Sequence, residues 1–207
     1  MQVTPTHYVR EDGTKYLRVT EVIKTCFPDP GLQDWRASVG KVRADRALRH
    51  AEKIGTLVDR VITSLLMGKP VKAKVNAVEA RQALGAFRKW QVLNPLAAVT
   101  CQYQVFSDDM GVAGTVDCIT SDELFDWKTT SRMKPQHLLQ LNAYWGLLPT
   151  AFRETVRHAR IVRFDKILGD WEEFPFTYQP ELFIYFGHLV EVYRGWERLT
   201  QPQEVAA

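Results

Sequence analysis

Apolar and polar positions follow two different periods along the chain. Up to about residue 95, apolar residues recur three or four positions apart, as at Ile54, Val58 and Ile62, which is the period of an amphipathic helix. Gly40 and Gly55 are candidate breaks in this helical part. The elements predicted for this part are a strand at 14–19 and helices at 20–27, 32–67 and 76–93.

From about residue 96 the apolar positions alternate with period two, which predicts strands. The predicted strands are 98–106, 111–119, 123–129, 158–166 and 171–178, with helices at 135–148 and 180–199. This order predicts an α/β (α+β) fold, a central mixed β-sheet flanked by helices. We expect a single domain over 1–207, in which 1–95 is a mainly helical N-terminal part and 96–207 is the core with a C-terminal helix.

Composition narrows the class of protein. The chain is 45% hydrophobic and 25% charged, which is typical of a folded domain. No apolar run approaches the roughly 20 residues of a membrane span, and the polar N-terminus lacks a secretion signal. The three cysteines form no C-x-x-C pair. We therefore expect no membrane partner, no iron–sulfur cluster and an intracellular, cytoplasmic location.

Charge is unevenly distributed. Segment 69–89 holds six basic residues and one acid, 91–127 holds six acids and no Lys or Arg, and 128–166 holds eight basic residues and two acids. This order suits a cation site beside a polyanion, although charge runs alone favour the plainer alternative of solvated faces. Candidate phosphate contacts are segment 69–89 and the arginines Arg153, Arg157, Arg160 and Arg163.

The stretch GVAGTVDCITSDELFDWKTT, residues 111–130, reads as a β-hairpin that turns at Ser121 and Asp122. Its register predicts Asp117 opposite Asp126 and Thr115 opposite Lys128. The other face would be wholly apolar, with Val116, Cys118, Phe125 and Trp127.

Two carboxylates facing each other repel, so a raised pKa, a nearby cation or a bound divalent metal must offset the repulsion. Hard oxygen ligands favour magnesium or manganese. An exposed hairpin face with an ordinary Lys–Asp pair is the alternative, and geometry alone leaves both open.

Three short motifs occur in order: G-x-x-D at Gly114–Asp117, D-x-K at Asp126–Lys128, and Q-x-x-x-Y at Gln140–Tyr144. Together they resemble motifs of the PD-(D/E)XK nuclease superfamily. The resemblance is to its RecB-like and phage exonuclease branch, which includes the mitochondrial genome maintenance exonuclease. LRVTEVI at 17–23 and GLQDWRASVG at 31–40 are similar to the N-terminal segment of phage and mitochondrial members. The resemblance implies a restriction-endonuclease-like core.

The resemblance also implies roles for individual residues. Asp117, Asp126 and the main-chain carbonyl of Trp127 would bind the metal, and Lys128 would orient or deprotonate the attacking water. Gln140 and Tyr144, on one face of a helix, would support Lys128 or contact DNA. The residues expected to meet phosphates are Thr129, Thr130, Ser131 and Arg132.

The chain departs from that branch at two positions. Asp59 stands where a metal-binding His is common, and we interpret it as a replacement ligand. Gln102 or Gln104 stands where many members carry a glutamate, the first motif of the family, and Gln102 is the position we single out. Because a neutral amide is a weaker ligand, the site is expected to bind metal less tightly or to bind one ion.

The implied function is a metal-dependent DNA nuclease, foremost an exonuclease hydrolysing phosphodiester bonds in DNA recombination, repair or phage DNA processing. Two alternatives stay open: a nuclease-fold DNA-binding module with weak or no cleavage, and a structure- or site-specific endonuclease. A metal-free structural protein would leave the Asp117–Asp126 repulsion unexplained. DNA is the expected partner in a bacterial or phage-infected cell, together with a recombination annealing protein or helicase. The sequence leaves the oligomeric state open.

Overall fold

The computed structural model describes residues 1–200, in which one mixed eight-stranded sheet is covered by helices. The helices are α1 (Val19–Cys26), α2 (Pro30–Val39), α3 (Lys41–Leu66), α4 (Val78–Leu93), α5 (Pro135–Gly146), α6 (Thr150–Arg153) and α7 (Pro180–Thr200). The strands are β1 (Gln2–Val3), β2 (His7–Val9), β3 (Lys15–Arg18), β4 (Thr100–Ser107), β5 (Val112–Ile119), β6 (Glu123–Lys128), β7 (His158–Phe164) and β8 (Trp171–Phe176). This arrangement confirms the predicted fold class.

Local chemistry sets the helix boundaries. Proline occupies the first turn of both α2 and α5, where its missing N–H costs nothing. Asp29 caps α2 by accepting the Leu32 N–H at 3.3 Å. Gly40, at φ +81°, separates α2 from α3, so the first of the two candidate breaks in 32–67 is confirmed. Gly55 does not interrupt α3.

The sequence analysis missed several short elements. Strands β1 and β2 hold two and three residues, and α6 holds four, which is too short for a periodic signal. The first three strands belong to the sheet, so the part before residue 95 is less purely helical than expected.

Strand β5 is the centre of the sheet, because it pairs with three other strands. One edge pairs with β4 along most of its length. On the other edge, β3 pairs in parallel with Val112 and Ala113, and β6 pairs antiparallel with Cys118 and Ile119. The middle of this second edge, residues 114–117, therefore has no strand partner. Beyond β6, the sheet continues through β7, in parallel, to β8.

Two apolar cores lie on opposite faces of the sheet. Helices α1, α5 and α7 cover one face, with buried residues such as Val22, Leu141 and Phe186. Helices α3 and α4 cover the other, where Trp90 and Trp127 pack edge to face at 5.6 Å. None of the helices within residues 1–200 combines the length and apolar character needed to cross a bilayer.

Candidate active site

The hairpin register predicted from the sequence is confirmed at the turn. Cys118 pairs with Phe125 and Ile119 pairs with Leu124. Strand pairing then stops, so Asp117 and Asp126 are not ladder partners, and neither are Thr115 and Lys128. Instead, the Trp127 N–H donates to Asp117 Oδ2 at 2.8 Å. The strands separate where the two carboxylates would otherwise lie directly opposite each other, and the Asp117 side chain accepts the hydrogen bond that a strand carbonyl would have accepted.

An irregularity in β4 lies on the other side of Asp117. Gln102 would be the ladder partner of Asp117, but the two are unpaired, and Gln102 adopts φ +55°, which side chains rarely accept. Gln102 interrupts the pairing without inserting a residue, because Cys101–Cys118 and Tyr103–Val116 keep one register on either side. Backbone strain of this kind is found at functional sites.

The predicted apolar face of the hairpin is wrong at Asp117. Val116 packs in the core with α5, whereas Cys118, Phe125 and Trp127 pack in the core with α3 and α4. All four side chains are buried, but strict alternation would have placed Val116 and Cys118 on one face. The change of face occurs at Asp117, between them.

Asp126 and Lys128 form a buried ion pair beside Asp117. The Asp126 side chain is 2% exposed, and its Oδ2 lies 2.5 Å from Lys128 Nζ. Burial raises the pKa of Asp126, although Lys128 opposes the shift. Burial, followed by the charges of Asp126 and Asp59, raises the pKa of Asp117 well above its usual value. Burial alone would lower the pKa of Lys128, but Asp126 and Asp117 outweigh it and raise that pKa.

Gln140, on α5, connects the polar groups of the site. Its Nε2 donates to Asp126 Oδ1 and to the Tyr144 hydroxyl, each at 3.1 Å. Its Oε1 accepts from Lys128 Nζ at 3.4 Å. The Tyr144 ring in turn packs on Gly114, where an added Cβ would lie 2.3 Å from Tyr144 Cε1. The structure thus brings all three sequence motifs into direct contact.

The structure also brings Asp59 to this site, from α3. Both of its carboxylate oxygens accept from Gln102 Nε2, at 3.0 and 3.2 Å. Burial, together with the charge of Asp126, raises the pKa of Asp59 to about 6. Gln102, rather than Gln104, is therefore the β4 residue that reaches the predicted ligands.

Each carboxylate of the site has a protein partner: Asp59 has Gln102, Asp117 has the Trp127 N–H, and Asp126 has Lys128. Accordingly, no three Asp, Glu, His or Cys side chains within residues 1–200 converge as a ready-made ligand cluster. Asp126 Oδ2 is buried and, despite its charge partner, forms no hydrogen bond of normal geometry. Hard oxygen donors from three carboxylates, close enough for Asp126 and Asp59 to raise the pKa of Asp117, fit a magnesium or manganese ion.

The segment after Lys128 contains the predicted phosphate contacts. Thr129 lies beside Gly55 of α3, where an added Cβ would be 3.4 Å from its Oγ1. Thr130 is fixed by its main-chain carbonyl, which accepts from Arg163 at 3.2 Å. Ser131 and Arg132 are exposed. The latter two therefore have the accessibility that a phosphate contact needs.

Two of the arginines named as phosphate contacts are engaged inside the protein. Arg160 bridges Glu123 and Glu173. Arg163, 8% exposed, contacts Asp165 and Glu172. These arginines stabilise the β7 region and are not free to bind a phosphate, whereas Arg153 and Arg157 are exposed.

A groove of about 380 Å³ between α1, α2 and α5 reaches Gln140, and sequence reasoning missed it. His137 lines the groove, and burial, followed by the charges of Lys128 and Lys134, lowers its pKa to about 4. At one end, Asp29 pairs with Lys134 at 2.7 Å and with Arg132 at 3.8 Å. Asp29 thereby ties the segment after Lys128 to the start of α2. In the sequence, the helix-capping pattern Asp29-Pro30 was the signal that could have indicated the start of α2 at this groove.

No family model and no curated protein sequence matches the chain. Among solved structures, it is similar to a candidate exonuclease from Eubacterium rectale, with a TM-score of 0.55, 13% identity, and coverage of 95% of this chain and 85% of that one. An alkaline exonuclease from Laribacter hongkongensis gives a TM-score of 0.49 at 11% identity, covering 89% of this chain and 88% of that one. At such identities, the first of these similarities shows a shared fold.

Proposed function

We propose that the protein is a metal-dependent deoxyribonuclease of the RecB-like branch of the PD-(D/E)XK superfamily, and more specifically an exonuclease. The observation that carries the proposal is the contact network in which Gln140 joins Asp126, Lys128 and Tyr144 beside Asp117. The fold shared with the Eubacterium rectale protein is consistent with it. Fold alone would not define a function, so the proposal rests on these side chains.

Asp117, Asp126, the main-chain carbonyl of Trp127 and Asp59 would hold magnesium or manganese. A bound ion of this kind polarises a phosphoryl oxygen and lowers the pKa of water. Its positive charge would also offset the repulsion that raises the pKa values of Asp117 and Asp59.

Lys128 would act as a proton-bearing ammonium group. Asp126 and Asp117 raise its pKa, so Nζ keeps its proton and can donate to the attacking water or to a phosphate oxygen that gains charge. Gln140 accepts from Nζ with one end and donates to Asp126 with the other, which fixes the separation of the two charged groups. Tyr144 accepts from Gln140 and holds the amide in that orientation. Thr129, Thr130, Ser131 and Arg132 would then meet the flanking phosphates.

A second candidate is a DNA-binding module with weak cleavage, and Gln102 is the observation that favours it. A neutral amide occupies the position where a further carboxylate would complete the ligand set, and it is already bonded to Asp59. We also propose that the protein is cytoplasmic and that it acts in recombination, repair or phage DNA processing, together with an annealing protein or helicase.

Degradation of end-labelled linear and circular DNA, each single- and double-stranded, tests the proposal. Reactions with magnesium, manganese or chelator would compare the wild type with Lys128→Ala and with the exposed-lysine control Lys15→Ala. We expect metal-dependent loss of linear DNA only, abolished by Lys128→Ala and retained by the control. Cutting of circles would identify an endonuclease. A folded wild type that binds DNA without cutting it would support the binding module and exclude the enzyme.

A further inference from the structure

The outward face of α3 carries a row of basic residues that the proposed catalysis does not use. Arg46, Arg49, Lys53 and Arg60 are all exposed. At about 100° per residue they lie within an arc of about 60°, because they recur at helical spacing. The buried residues of α3, such as Ile54 and Val58, lie on the opposite side. We call these four side chains the α3 basic stripe.

None of the four side chains has an acidic partner within 4 Å among residues 1–200. Arg36 of α2, by contrast, is neutralised by Asp45. Between Arg46 and Arg60, Glu52 and Asp59 are the acids, and Asp59 is bonded to Gln102. A row of unpaired positive charges is costly to keep together unless a polyanion neutralises it.

The helix that carries the α3 basic stripe also contributes residues to the candidate active site. Asp59, the neighbour of Arg60, reaches Gln102 from the flank of the same helix. Gly55 of α3 lies against Thr129, the residue that follows Lys128. Beyond Arg60, a cleft of about 420 Å³ is also lined by Lys69 and Lys72, which extends the positive surface past the end of the helix.

We propose that the α3 basic stripe binds the phosphate backbone of duplex DNA next to the bond that is cleaved. This inference rests on the proposed function and adds the class of substrate to it. From Arg46 to Arg60 the helix rises about 21 Å, which matches about six base pairs at the axial spacing of phosphates on one strand. Four side chains over that length can each reach a phosphate.

The chemistry of α3 favours a duplex over a single strand. Single-strand binding surfaces combine positive charge with aromatic side chains on which bases stack. Helix α3 contains no Phe, Tyr or Trp. A row of guanidinium and ammonium groups can bind phosphates but offers no aromatic surface on which unpaired bases could stack. Such a row suits the phosphate backbone of a duplex.

Anisotropy titrations with a labelled duplex and its single strand, in chelator and over a range of potassium chloride concentrations, test this proposal. The stripe variant is R46Q/R49Q/K53Q/R60Q, and the charge-matched control is K15Q/K24Q/K166Q/R198Q, at positions on β3, α1, the β7–β8 turn and α7 that have no proposed contact with DNA. For the stripe variant, we expect the slope of log K against log salt on duplex to fall in magnitude by about 3.6, or about 0.9 per contact. The control should keep the wild-type slope.

If the fourfold variant does not fold, R49Q and K53Q alone should each remove about 0.9 from the slope. A wild-type slope in the stripe variants would overturn the proposal, and so would an equal loss in the control or a larger loss on single strands. A wild type that neither binds nor cuts DNA would instead overturn the proposed function. The two failures are therefore distinguishable.

Discussion

Gly114 and the ring of Tyr144 are in such close contact that a methyl group on Gly114 would lie 2.3 Å from Tyr144 Cε1. No real side chain tolerates that distance, so β5 and α5 can approach only at a glycine. The contact couples the sheet to the helix that carries Gln140. The first residue of the G-x-x-D motif therefore acts through packing, although the motif was identified for its carboxylate.

We predict that Gly114→Ala displaces Tyr144, and with it the Gln140 hydrogen bonds to Asp126 and Lys128. Overpacking of this kind costs about 1–3 kcal/mol of unfolding free energy. Urea denaturation and nuclease assays would measure both effects. The control is Gly85→Ala in α4, where an added Cβ meets nothing within 4 Å and should stabilise the helix by up to about 1 kcal/mol. Equal behaviour of the two variants would contradict this account.

Gln140→Leu should reduce nuclease activity by about 10- to 100-fold, the usual effect of losing a residue that orients catalytic groups. It removes the hydrogen bonds that fix Asp126 relative to Lys128, and it leaves both charged groups in place. The loss should appear mainly in kcat, which initial-rate kinetics on linear DNA would separate from KM. Gln82→Leu, on exposed surface, is the control. A change in KM alone would indicate that Gln140 contacts DNA instead.

Asp117→Asn should stabilise the protein in chelator and remove most of its stabilisation by magnesium. The folded pKa of Asp117 is raised, so folding is favoured most below the unfolded value of 3.8 and this contribution is lost as pH rises. The amide does not titrate and still accepts from Trp127. The free energy of unfolding of the variant should therefore exceed that of the wild type at neutral pH, and the difference should shrink as pH falls.

Thermal unfolding with and without magnesium measures this prediction, and it needs no DNA. The wild type should gain more from magnesium than the variant does, because binding to the folded state alone raises stability. Equal gains for both proteins would show that Asp117 is not a ligand.

His137 should make the protein less stable in mild acid. Its folded pKa of about 4 lies below the ordinary 6.5, so the unfolded chain takes up the proton first. Stability is then complete above pH 6.5 and falls as pH decreases towards 4. In His137→Gln this component is absent. Asp59, whose raised pKa acts in the opposite sense, is common to both proteins and cancels in the comparison.

Urea denaturation of both proteins at pH 7 and pH 5 would measure the difference. The wild type should lose more stability than His137→Gln between the two values. Parallel losses would show that His137 is solvated and titrates normally.

The sequence predicted the structure well where the turn residues and the period of the apolar positions indicate the same element. The turn between β5 and β6 combines polar residues between apolar runs, so the register of Cys118 with Phe125 was predictable. Gln140 and Tyr144 are four residues apart on one helix, so their shared face was predictable as well. Asp59 was found through the resemblance, and the structure places it at the site by a tertiary contact with Gln102.

The parts that could not be predicted depend on contacts between distant segments. The loss of pairing at Asp117 follows from β3 and β6 sharing one edge of β5, which no local pattern reveals. No sequence signal indicated the positive φ of Gln102, because Gln is not a residue that prefers a positive φ. Arg160 and Arg163 resemble any exposed arginines in the sequence, and only strand order brings Glu172 and Glu173 beside them.

The parallel pairing of β6 with β7 has a consequence for folding. Asp126 and Lys128 lie on β6, whose partner begins about 30 residues later, after α5 and α6 have crossed the sheet. The separation is larger still for β3, which ends at Arg18 and pairs with β5 from residue 112 onward. Closing such long loops is slow, since the entropy cost comes before the contacts that offset it. A chain still emerging from the ribosome would therefore lack an assembled site, and the proposed nuclease activity would require that folding be complete.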